Sequence, residues 1–79
     1  MEEKAKQIVA NWLNQKPQWN GKTYKIFLVW NSKVLQNYKC TIYTDLPNSP
    51  YFELTYNGDK KEWYLDVYLK LANKVITEE

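Results

Sequence analysis

Glu53, Asp59, Glu62 and Asp66 are the side chains with the best chance of acid–base work here, and Cys40 is the one thiol. Two carboxylates converging in a cleft can act as general acid and base, and an activated thiolate can attack an electrophilic carbon. The surroundings argue against both chemistries. Asp59 and Glu62 have the spacing of a helix capping box, with the Asp59 carboxylate accepting from the Glu62 amide and the Glu62 side chain reaching back. Asp66 precedes Lys70 by four residues, the spacing of an ion pair along a helix. Cys40 lies in an alternating strand, and the chain has no histidine to raise its thiolate fraction. Without histidine or arginine, imidazole catalysis and a cysteine–histidine zinc cluster are both excluded. The two glycines fall in separate turns, so neither a P-loop nor a dinucleotide fingerprint can be built. The expectation is a protein that is not an enzyme and takes no cofactor and no metal.

Binding is the chemistry the composition favours. Four tryptophans, seven tyrosines and two phenylalanines in 79 residues are more ring surface than so small a core needs. A core of Trp12, Ile26, Leu28, Phe52, Leu54, Trp63, Val67 and Leu71 leaves over Tyr38, Tyr43, Tyr51, Tyr64, Tyr68 and either Trp19 or Trp30. Rings with a polar handle on a surface give contact area at low entropic cost, as interface hot spots do. The alternative is that they cover an open sheet face and the seam of a homodimer, and a homodimer is the expected assembly. Gln36 and Asn37, beside Trp30 and Lys39, offer donors, acceptors, a ring face and a cation at one sheet edge, enough to hold a nucleotide base or a peptide backbone. Equally, these amides can satisfy the hairpin's own backbone. The candidate partner-binding residues are therefore Trp30, Gln36, Asn37, Tyr38, Tyr43, Tyr64 and Tyr68. Lys39, Lys60 and Lys61 are the candidate phosphate contacts.

These residues need elements to position them. In residues 2–15 the apolar Ala5, Ile8, Val9, Trp12 and Leu13 form one stripe of an amphipathic helix, which Pro17 ends. Residues 22–31 alternate as a strand, with Tyr24, Ile26, Leu28 and Trp30 on one face and Lys25, Phe27 and Val29 on the other. Apolar residues on both faces point to a central strand, or to one whose second face meets a partner. Asn31, Ser32 and Lys33 form a connection. A second strand covers residues 36–45, and a third follows the proline-bounded turn at 51–56. After Asn57 and Gly58, a helix is expected from the capping box at Asp59 to about Ile76. Its stripe is Trp63, Val67, Leu71 and Val75, but Leu65 and Leu69 make it apolar around much of its circumference. The expected fold is one α+β domain of order α-β-β-β-α, with two helices on one face of a three-stranded antiparallel sheet.

Net charge is +2 from eleven lysines and nine acids, too mild for a strongly electrostatic nucleic-acid binder. A lone cysteine allows no internal disulfide and fits a reducing compartment. The acidic start Met1-Glu2-Glu3 lacks an apolar signal core, and the longest apolar run is 26–30, too short to span a bilayer. A cytoplasmic protein with no membrane partner is the expectation.

Two resemblances add to this. The element order and the Gly58-Asp59-Lys60-Lys61 junction resemble the double-stranded-RNA-binding domain, in which a lysine pair at the start of the last helix grips phosphates. The histidine-bearing loop of that family is missing, and Trp63, Tyr64 and Tyr68 stand where it has small residues. Further along the chain, residues 29–39 (VWNSKVLQNYK), 51–62 (YFELTYNGDKKE) and 64–68 (YLDVY) resemble an uncharacterised family of small proteins from phages and prophages of low-GC Gram-positive bacteria. That family pairs a tryptophan-containing strand with a Leu-Gln-Asn stretch and a Tyr-Asn-Gly-Asp-Lys-Lys-Glu run. The resemblance implies an accessory protein acting in a bacterial host, by blocking a host protein or defence pathway or by sequestering a nucleotide signal.

Overall fold

In the computed structural model, which describes residues 1–69, one helix packs on a four-stranded antiparallel sheet. The helix α1 is Glu2–Asn14. The strands are β1 (Ile26–Val34), β2 (Asn37–Thr44), β3 (Tyr51–Asn57) and β4 (Glu62–Tyr68), in spatial order β1-β2-β3-β4. Each strand therefore pairs with its neighbour in the chain, a simple meander. Among the described residues no helix is long and apolar enough to cross a membrane.

The helix forms where its apolar stripe requires. Ala5, Val9 and Leu13, one turn apart, are fully buried against the sheet. Glu2 and Glu3 sit in the first turn, where the helix dipole favours negative charge, and Glu2 pairs with Lys6 at 3.0 Å. The helix stops at Asn14, before Pro17. Trp12 then meets Phe52 edge-on at 5.5 Å and Trp19 at 6.1 Å, joining the helix and the following turn to the core. The core proper is Cys40, Ile42, Phe52 and Leu54 beneath the helix, each fully buried.

The last element departs from expectation. Residues 62–68 form a strand and not the first turns of a helix, so the three-stranded, two-helix arrangement is replaced by one helix and four strands. The cause is a degeneracy in the pattern. Trp63 and Val67, four apart, share a face in a helix and equally in a strand, where the period is two. Leu65, awkward for the helical stripe, falls on that same face in the strand. The three face the helix side half-buried, while Glu62, Tyr64, Asp66 and Tyr68 face away. The expected continuation to Ile76 lies outside the described residues. No capping box forms either. Asn57 Oδ1 accepts from the amides of Asp59 (3.0 Å) and Lys60 (3.3 Å), and Lys61 takes a positive φ of 55°. These features build a hairpin turn. One of the two grounds for expecting a homodimer, an all-round apolar last helix, does not hold for residues 62–68, which form a strand.

The first strand also differs. Asn31, Ser32 and Lys33 lie inside β1, and the connection is Leu35-Gln36, with Leu35 at φ 56°. Leu28 is opposite Ile42, yet Trp30 is opposite Thr41, so Val29 is bulged out of the ladder. A bulge shifts the alternation by one residue. Trp30 consequently leaves the face of Ile26 and Leu28 and joins Phe27.

Candidate functional site

One face of the sheet carries α1. The other is left open by every described residue, and the pairing register orders its side chains into rows across the strands. Phe27 is opposite Tyr43, Tyr43 stacks at 6.1 Å and 34° on Tyr51, and Tyr51 is opposite Tyr68. Four rings thus run across all four strands, each between 38% and 53% exposed. The next row inward is Trp30, Thr41, Glu53 and Asp66; after it come Ser32, Lys39, Thr55 and Tyr64. Trp30 is 51% exposed.

Two hollows flank this surface. A cleft of about 230 Å³ is lined by Trp30, Ser32, Val34, Asn37, Lys39 and Thr55, and reaches Tyr38. A second, of about 280 Å³, lies at the tyrosine row against Tyr43, Ser49, Tyr51, Tyr68 and Leu69. A larger hollow of about 460 Å³, by Trp19 and Pro47, lies at the rim of the fold and also abuts Leu69, the last described residue.

Electrostatics on the open face are mixed but lean negative. Among the described residues it bears Lys39 against Glu53, Glu62 and Asp66, with Lys25 and Asp45 continuing the alternation at its edge, although the whole chain is +2. Lys39 pairs with Glu53 at 3.4 Å. The Tyr64 hydroxyl donates to Glu62 Oε2 at 2.6 Å, and that carboxylate raises the phenol above its ordinary pKa. The Thr41 hydroxyl is shielded and has no hydrogen-bond partner.

The expected site residues divide. Trp30, Tyr43, Tyr64 and Tyr68 stand together on the open face, the last two on a strand and not on the outer side of a helix. Lys39 joins them. Tyr38 does not; it points to the helix side, 6% exposed, edge-on to Trp63 at 6.2 Å. Its burial, followed by the neighbouring Cys40, raises its phenol pKa, and burial likewise raises the Cys40 thiol. Gln36 and Asn37 are engaged within the protein. Asn37 Oδ1 accepts from the Gly58 amide at 3.1 Å, and Gln36 Nε2 donates to the Asp59 carboxylate. The two hairpin turns approach so closely that a Cβ on Gly58 would lie 2.3 Å from the Gln36 carbonyl oxygen. Lys60 and Lys61 lie in that β3–β4 turn, with no helix N-terminus behind them. The lysine-at-helix-start likeness to the RNA-binding domain therefore fails.

Phe27 and Tyr51 belong to the site but were absent from the sequence-derived set. The signal for Phe27 was present, since an alternating strand with apolar residues on both faces allows a partner on the second. β1 is an edge strand, which removes the central-strand explanation. Among the described residues no group of His, Cys, Asp and Glu could hold a metal ion.

Residues 2–78 match the model of a family of unknown function (DUF6275). The chain belongs to that family. No curated protein and no solved structure gives a significant match. The family brings no activity, so the surface itself must carry the functional argument.

Proposed function

We propose that this chain is a non-catalytic binding module that docks a protein partner on the open face of its sheet. In the setting its sequence resembles, it serves as a phage-encoded accessory protein that blocks a host protein or defence pathway in the bacterial cytoplasm by stoichiometric binding. The observation that carries this is the row Phe27, Tyr43, Tyr51 and Tyr68 together with Trp30. Five large rings stand half-exposed on one face of the sheet, opposite the face that already has its helix. Contiguous apolar patches of this kind mark interaction sites, and Tyr and Trp are the residues that anchor them. A nucleotide reading has less support, because Gln36 and Asn37 hold the hairpin turns and the face leans acidic.

The test is capture from host-cell extract by the full chain and by a Trp30→Ala/Tyr43→Ala variant. Capture by the wild type and its loss in a variant that still unfolds near the wild-type temperature supports the reading. Capture undiminished in the folded variant removes it.

A further inference from the structure

At the centre of the open face Glu53 and Asp66 stand directly opposite each other on β3 and β4. Like charges so placed on one sheet face repel, and the repulsion opposes folding. Rings surround the pair. Tyr64 and Tyr68 lie two residues either side of Asp66 on its own strand, and Tyr51 lies two residues before Glu53, all on the same face. Aromatic faces attract cations through their quadrupole, and a carboxylate strengthens a hydrogen bond from a cationic donor. The lysine already present does not fill this role: Lys39 touches Glu53 alone from the neighbouring strand, at 3.4 Å and with its side chain 49% exposed.

Resting on the docking reading above, we infer that the segment of the partner protein seated on this face carries lysine or arginine, with its cationic head between Glu53 and Asp66 and the Tyr51, Tyr64 and Tyr68 rings around it. Charge complementarity carries the assignment. Four carboxylates (Asp45, Glu53, Glu62 and Asp66) against two lysines (Lys25 and Lys39) on this face repel nucleic-acid phosphate and favour a basic chain. A second copy would bring the same acidic surface against itself. The apolar cleft beside Trp30 and Val34 calls for apolar side chains next to the cation, which a free polyamine lacks and a polypeptide has.

The probes are capped hexa-arginine and hexaglutamate peptides and a single-stranded oligonucleotide, titrated into the full chain with tryptophan fluorescence and amide chemical shifts as readouts. Hexa-arginine should bind saturably, more weakly as salt rises, with shifts centred on Glu53, Tyr64 and Asp66. Glu53→Gln/Asp66→Asn should weaken it by about tenfold or more, while its unfolding midpoint holds or rises because the repulsion is gone. Equal binding by the neutralised variant, shifts centred on the acidic start of α1, no saturable binding, preference for hexaglutamate or DNA, or self-association through this face would each overturn the inference. The docking reading is judged separately. Extract capture lost in Trp30→Ala/Tyr43→Ala but kept in the neutralised variant removes only the cation, whereas capture kept in both removes the docking face itself.

Discussion

The two faces of this sheet are built from similar residues and do opposite things. On the helix side Cys40, Ile42, Phe52 and Leu54 are wholly buried, held by Ala5, Val9 and Leu13 from above. On the far side Phe27, Trp30, Tyr43, Tyr51 and Tyr68 are as large or larger, yet stand half in water. Strand alternation alone cannot make this distinction, because it sorts residues to two sides without saying which side is covered. Among the described residues the cover is a single helix of 13 residues, and α1 lies on one side only. Apolar residues on the covered side are there to fold the chain. Those on the other side, half in water, contribute less to folding and so are available for a partner.

The largest effect expected from this contrast is on the covered side. Phe52→Ala should lose about 3–5 kcal/mol, comparable to the whole stability of so small a domain, and leave the chain largely unfolded in urea titration. A loss near that of an open-face ring would break the distinction. Next comes the brace between the two hairpin turns. Gly58→Ala places a methyl against the Gln36 carbonyl and should destabilise by about 1–3 kcal/mol. The same substitution should also disturb the amide signals of Gln36 and Asn37. Trp30→Ala and Tyr43→Ala should each shift stability by only about 1 kcal/mol or less, since their rings are already half solvated.

The smallest effect appears only at alkaline pH. Burial raises the folded pKa of Cys40 above its ordinary 9.0 and that of Tyr38 above 10.0. Between the unfolded and folded values the unfolded chain gives up the proton first, so unfolding gains ground. The stability tied to the neutral groups is thus fully present below pH 9 and is lost as pH rises through the folded values. Cys40→Val should move the onset of this loss from the thiol range to the tyrosine range, followed by denaturation midpoints from pH 7 to 11. An unchanged onset would mean that the thiol is not the group responsible.

Much of the covered side was legible in the sequence. The stripe Ala5, Val9 and Leu13 specified a helix and its buried face, Pro17 marked its end, and Ile42 and Leu54 alternated as strand residues should. The open side was harder, for two physical reasons. Trp63 and Val67 satisfy helix and strand periods alike, so the sequence of β4 reads equally well as a helix, which puts Tyr64 and Tyr68 on a helical surface. The bulge at Val29 has no signature in composition, yet it transfers Trp30 from one face to the other. Tyr38 shows the reverse error, a ring expected to be surplus that packs on Trp63 inside. Gln36 and Asn37 were recognisable as polar groups at a turn. That they brace Gly58 and Asp59 depends on two hairpins meeting, which local sequence does not encode.

Hydroxyl-radical footprinting of the intact chain, alone and in host-cell extract, read residue by residue by mass spectrometry, sets the two faces side by side in one measurement. Trp30, Tyr43, Tyr51 and Tyr68 should oxidise readily in the isolated protein and become protected in the extract, while Phe52 and Trp19 stay unreactive throughout. Open-face rings already protected in the isolated chain, or equally oxidised in both conditions, would contradict the account.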